Sequence, residues 1–239
     1  MKVALCLSGL TRSVKFSWPL IKRYLVEPYN SDVFLHTWGD IDNEGMRPRA
    51  NGGSDTPSFL FETKENFIME DINPKAYKLE EWEVFKNSHG PHMLDMRSMF
   101  YSIQAANKLK LEHEELNGIK YDIVIRSRMD MFYEQSLIGS EVTDVLENNI
   151  LYIQYAGDPK GWANAGYNQM RYTDIFAFST SQNMDIYSDT IKDLTIPSGE
   201  LAITNTLNKN NVNTKWSKIR FKGALKWTPN ELTITGLHL

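Results

Sequence analysis

Apolar and polar positions along this chain follow two periods, one of strands and one of helices. Val3 to Leu7 is a continuous apolar run, the pattern of a strand buried on both faces of a parallel sheet. A polar loop, Ser8 to Ser13, follows. Ser17-Trp18-Pro19 predicts a helix start, with Ser17 as the cap and Pro19 in the first turn, and the helix should stop before Pro28. Asp32 to His36 predicts a second short strand. The opening segment is thus β-loop-α-β, the unit that builds a right-handed parallel crossover.

Further on, Leu60 to Glu70 predicts a helix, Lys75 to Trp82 a strand and Asn87 to Pro91 a turn. Arg97 to Leu116 carries the clearest helical signal. Met96, Met99, Phe100, Ile103 and Ala106 make one apolar stripe, Lys108 to Glu115 is charged, and Gly118 ends the element. Tyr121 to Ile125 predicts a buried strand that continues, extended, through Arg126 to Phe132. Ile150 to Gln154 and Asp174 to Ser179 predict strands. Met184 to Lys192 and Gly199 to Lys209 predict helices, and Trp216 to Leu239 is β-like. Asp40 to Ser58 and Tyr155 to Gln169 read as long loops, of the length used for lids and binding elements. No internal repeat or linker divides the chain. The expectation is a single α/β domain over residues 1–239 with a mostly parallel central sheet.

Composition narrows the function classes. Of 239 residues, 41% are hydrophobic and 23% charged, enough to bury a core without staples. The formal net charge of -4 argues against a dedicated nucleic-acid binder, which would carry a basic stripe, but leaves room for a local basic pocket. Cys6 is the single cysteine, so no intrachain disulfide is possible, and no Cys/His cluster has zinc spacing. The first apolar run is too short for a signal peptide and no stretch is long enough to span a membrane. A cytoplasmic location is expected. Aromatics at 12%, with six Trp, suit either a core or stacking surfaces.

Several residue groups have the chemistry of a site. The loop after the first strand lies where α/β sheets bind ligands. There Gly9 permits close backbone approach, Ser8 and Thr11 can donate hydrogen bonds, and Arg12 can hold a phosphate or a base edge. The alternative is a surface turn with a solvated arginine. The spacing is neither a dinucleotide fingerprint nor a P-loop. In Arg126-Ser127-Arg128-Met129-Asp130, strand alternation would put Arg126, Arg128 and Asp130 on one face. Two arginines can neutralise a diphosphate, and Asp130 can hold a divalent cation or a sugar hydroxyl; an internal salt-bridge ladder is the other reading. Glu200 and Asp174 are each either a general base or an ordinary structural acid. His36, beside Thr37 and Trp38, falls at the ligand edge of the sheet. Asp40 to Gly45 opens like a calcium loop, but its twelfth position is Asn51, so the motif fails. His113 reads as a solvated helix residue, and His238 as a remote candidate metal ligand.

Taken together, Ala4 to Arg12, Ser31 to Trp38, Tyr121 to Asp130 and Asp174 to Phe178 resemble the nucleotide-sugar glycosyltransferases of the GT-A fold. They are similar to small bacterial and viral members associated with surface-glycan synthesis. The resemblance implies a Rossmann-like three-layer sandwich with a β-rich C-terminal part. Residues 1–130 would be the nucleotide-binding half and 131–239 the acceptor-binding half. It implies that Ser8, Gly9, Thr11, Arg12, Arg126 and Arg128 contact the nucleotide, and that Asp130 lies on the metal side, with Mn²⁺ or Mg²⁺ as the cation. Glu200 or Asp174 would be the base of an inverting hexosyl transfer. His36, Trp38, Trp162 and Tyr167 would line the acceptor, a glycan. The chain departs from the family's Asp-x-Asp pattern at one point, where Arg128 stands in place of the first acid. Two other classes fit the residues less closely: a sulfotransferase-like nucleotide-dependent group transferase, and a non-catalytic glycan- or nucleotide-binding module.

Overall fold

The structure is a computed structural model that describes residues 1–11, 14–39, 64–89, 94–155, 172–193 and 199–223. The described chain is an α/β assembly. Strand β1 (Val3–Ser8) leads to helix α1 (Val14–Ile21), which continues as a π turn (Lys22–Val26) and a 3-10 turn (Glu27–Tyr29) before β2 (Asp32–Trp38). Helix α2 (Lys64–Phe67) runs into a second π turn (Ile68–Ile72) and then β3 (Ala76–Glu80), α3 (Trp82–His89) and α4 (Leu94–Asn117). Next come β4 (Ile123–Arg128), β5 (Met131–Tyr133), α5 (Gly139–Asn148), β6 (Leu151–Tyr155) and β7 (Tyr172–Ser179). Helix α6 (Ser181–Ser188), a 3-10 turn (Asp189–Asp193), α7 (Gly199–Lys209), β8 (Thr214–Trp216) and β9 (Phe221–Gly223) complete it.

Seven strands form one sheet in the order β3-β2-β1-β4-β7-β6-β8. The pairs β1–β2, β2–β3, β1–β4 and β6–β8 are parallel, whereas β7 runs antiparallel to both β4 and β6. The sheet is thus mixed but mostly parallel. β5 and β9 pair separately as an antiparallel ribbon.

Alternation along the strands sorts their side chains into two cores. Val3, Leu5, Leu7, Val33, Leu35, Ile123 and Ile125 point to one face, where Val14, Trp18, Ile21, Ile68 and Ile72 cover them. Ala4, Cys6, Phe34 and Val124 point to the other, under Phe100, Ile103 and Ala106 of α4, Tyr187 of α6 and Leu207 of α7. Helices therefore flank both faces, and this is what strands apolar at every position require.

Several expectations change. Ser17 is not a cap: α1 begins at Val14, on the carbonyl of Thr11. The Ser17 hydroxyl instead donates to the main-chain carbonyl of Met129. Pro19 lies inside the helix, where its missing N–H removes one rung, and the wider π turn follows. The strand expected to run through to Phe132 ends at Arg128, because the chain turns at Met129-Asp130 and starts the separate ribbon. Asp130 is accordingly not on the strand face of Arg126 and Arg128. The strand expected to reach Trp82 stops at Glu80 and gives way to α3, anchored by buried Phe85. α5 was not expected, since Val145 is its one buried apolar side chain, too little for a legible stripe. The loops at Asp40–Ser58 and most of Tyr155–Gln169 lie outside the described residues, as does the tail after Gly223.

Candidate functional site

Three parallel strands bring the expected residues to one sheet edge. Ser8 is the register partner of His36 on β2 and of Arg128 on β4. Cys6, one step back on the same face, pairs with Phe34 and Arg126. The carboxyl ends of β1, β2 and β4 thus place His36, Ser8 and Arg128 in one row, with Arg126 one pleat behind.

The turn after β1 is fixed by its backbone. Gly9 has φ +113°, a value that side chains rarely tolerate. Its N–H donates to the His36 carbonyl at 3.3 Å, and the Thr37 hydroxyl donates to its carbonyl at 2.8 Å. A Cβ at Gly9 would meet nothing within 4 Å among the described residues, so the glycine is needed for its conformation. Thr11 is buried and launches α1. Arg12, Trp162 and Tyr167 lie outside the described residues.

The two arginines are in opposite states. Arg128 holds Asp130 with a two-point fork, Nε to Oδ1 at 2.8 Å and Nη2 to Oδ2 at 2.5 Å. The Asp130 side chain is 3% exposed and that of Arg128 23%. Arg126 is 2% exposed. Among the described residues it makes one long hydrogen bond, Nη1 to the Ile175 carbonyl at 3.5 Å, and its Nε has no partner. No carboxylate lies within ion-pair distance of it among the described residues. Burial pulls its guanidinium below the usual arginine range, opposed by Tyr187 and Asp174. A buried cation without an ion pair is expensive.

Arg126 is not alone in this. Among the described residues, Ser8 Oγ, His36 Nδ1, Tyr187 OH and Asp174 Oδ2 are also buried without hydrogen-bond partners. Orphaned buried polar atoms are rare in folded proteins and call for an explanation. Asp174 is on β7, close enough to act electrostatically on Arg126, Arg128 and Tyr187. Glu200 occupies the first turn of α7, the helix packed on β7.

His36 and Trp38 belong to a second, denser cluster. His36 Nε2 and Glu80 Oε2 are 2.8 Å apart, and Lys78 and Tyr101 donate to Glu80 Oε1 at 2.9 and 3.1 Å. His36, hydrogen-bonded to Glu80, is the largest of the groups that hold the Glu80 carboxyl down to about 2, while burial lowers His36 itself. Trp38 is 2% exposed and packs against Trp82, Phe85 and Tyr101. The two described acceptor candidates, His36 and Trp38, are therefore inside the fold at this edge. Sequence reasoning missed Glu80 and Tyr187. Glu80 was legible as an acid on the strand next to His36; Tyr187 left no signal.

Among the described residues, no side chains are arranged to hold a resident divalent cation. Asp130 is already engaged through both oxygens by Arg128. Among the described residues no three His, Cys, Asp or Glu side chains gather as a metal site. No described helix is long and apolar enough to cross a membrane. No protein-family model matches the chain, and no curated protein matches it significantly.

Proposed function

We propose that this chain is a GT-A-type glycosyltransferase that moves a hexose from a nucleoside diphosphate sugar to a glycan hydroxyl. The observation that carries this reading is the meeting of the Ser8-Gly9 turn with Arg128 and Arg126 across the β1–β4 pair. A glycine turn supplies backbone approach, and two guanidinium groups supply positive charge at the carboxyl edge of a mostly parallel sheet, where such folds bind ligands.

The chemistry of an inverting transfer assigns the remaining roles. A carboxylate takes the proton of the acceptor hydroxyl, the oxygen attacks the anomeric carbon, and the bond from that carbon to the diphosphate oxygen breaks with its electron pair. Asp174 suits the base, since one of its oxygens is buried and unpartnered; Glu200 is the second candidate. The departing diphosphate gains negative charge, and fixed positive groups in a site shielded from water stabilise it best. Arg128 and Arg126 serve there.

A thermal-shift panel of nucleoside diphosphates and their sugars tests the reading. A ligand at one hundred times its Kd adds about 2.7 kcal/mol, which raises the midpoint of a chain of this size by roughly 5–10 °C. One base should stand out. No shift with any nucleotide at millimolar concentration overturns the proposal.

A further inference from the structure

Two buried cations of this fold have opposite surroundings. Lys110 is fully buried and saturated: its ammonium donates to Ser181 Oγ at 2.6 Å, Asp185 Oδ1 at 2.7 Å and Glu114 Oε2 at 3.3 Å. Arg126 is as deeply buried but has one 3.5 Å bond and an orphaned Nε. Lys110 therefore explains itself as a structural tie between α4 and α6. Arg126 does not, because a structural cation that deep would be paired.

The nearest cation to Arg126 on the same strand face is Arg128. Its Nε and Nη2 are fixed by Asp130, so the guanidinium plane is held in one orientation. Its Nη1 has no hydrogen-bond partner among the described residues, and the side chain is 23% exposed. The arrangement is a preorganised donor at the surface with a cation one pleat beneath it that has no direct ion pair among the described residues and feels Asp174 only through its field, next to Ser8, whose hydroxyl has no partner there. Asp130, the acid that would face a cation, is the group that orients Arg128.

We propose that Arg128 and Arg126 hold the donor diphosphate without a divalent cation, Arg128 by direct contact and Arg126 through its field. This rests on the glycosyltransferase reading above. A diphosphate at this edge adds negative charge to the field of Asp174 at Arg126, which has no direct ion pair among the described residues, and Arg128 presents a fork edge suited to phosphate oxygens. Asp130 is then a positioning residue for Arg128.

Isothermal titration of the full chain with UDP, GDP, ADP, CDP and TDP, each in EDTA and in Mn²⁺, separates the outcomes. The expected result is one nucleotide whose Kd in EDTA lies within about threefold of that in Mn²⁺, a change well under one decade of affinity. A Kd at least about tenfold weaker in EDTA overturns the metal-free clamp and leaves the glycosyltransferase reading standing. No binding in either condition overturns both. Arg128→Gln is expected to weaken binding by about tenfold or more, the scale of a lost charge-assisted hydrogen bond. Arg126→Met is expected to weaken binding while leaving the melting point of the free protein unchanged or higher, because it removes an unpaired buried charge. A lower melting point with unchanged affinity would make Arg126 structural and contradict the proposal.

Discussion

Arg128 grips Asp130 across a two-residue turn, Nε to Oδ1 at 2.8 Å and Nη2 to Oδ2 at 2.5 Å. The fork closes the end of β4 and is backed by Ser17, whose hydroxyl caps the Met129 carbonyl from α1, and by Tyr133, whose hydroxyl meets Ser127 Oγ at 2.6 Å. The arginine at the sheet edge is therefore held from below. Asp130→Asn keeps the shape and removes the charge. It should cost about 1–3 kcal/mol in urea unfolding, the scale of a charged hydrogen bond left half-made. A double-mutant cycle with Arg128→Gln should show coupling of at least about 0.5 kcal/mol. Additive effects would mean that the fork does not hold the turn.

The His36–Glu80 pair contributes to the acid stability of the fold. Glu80 is held at about 2 against an ordinary 4.5, so below 4.5 the unfolded chain binds a proton that the folded chain refuses. Its contribution is complete above that value and is lost as the pH falls toward 2. Burial holds His36 below its ordinary 6.5, which has the same sign: stability begins to fall as the pH drops through 6.5. Urea midpoints measured from neutral to acid pH should decline in this order. His36→Asn should flatten the upper part and Glu80→Gln the lower part. A midpoint independent of pH below 6.5 would contradict the assignment.

Lys110 makes the contrasting case for stability. Its three acceptors include Glu114, whose side chain is 1% exposed and which also accepts from Lys120 and the Tyr121 N–H. Lys110→Ala leaves that carboxylate under-compensated and should cost about 3–5 kcal/mol, read as a fall in the unfolding midpoint. A loss under about 1 kcal/mol would show that the network is solvated rather than buried.

Gly9 is a test of conformation without packing. Since a Cβ there meets nothing within 4 Å among the described residues, the cost of Gly9→Ala is set by the strain of φ +113°, about 1–3 kcal/mol. Chemical denaturation measures it. A neutral substitution would mean that the turn readily takes another conformation.

Much of the fold was legible because it rests on apolar runs. Val3 to Leu7, Tyr121 to Ile125 and the strand from Asp174 to Ser179 carry their burial in their own composition, and Gly199–Lys209 begins and ends where sequence places it. What was not legible depended on partners far along the chain. The end of β4 at Arg128 is decided by a turn tied to Ser17 on α1, over a hundred residues away. The direction of β7 is a matter of sheet order, which periodicity does not encode. At the candidate site, the placement of Ser8, Gly9, Arg126 and Arg128 at one sheet edge was legible from position alone, at the end of a buried strand. Their states were not: the pairing of Arg128, the isolation of Arg126 and the orphaned Tyr187 hydroxyl arise from tertiary packing.

The most direct test of the diphosphate site is an NMR titration of arginine-labelled protein with the nucleoside diphosphate that the thermal panel selects. Arg126→Lys and Arg128→Lys assign the two Nε–H signals. If the sheet edge holds the diphosphate, the Arg128 and Arg126 signals shift together as the nucleotide saturates, in EDTA as in Mn²⁺. Saturation with both signals unmoved would place the nucleotide elsewhere and contradict the account.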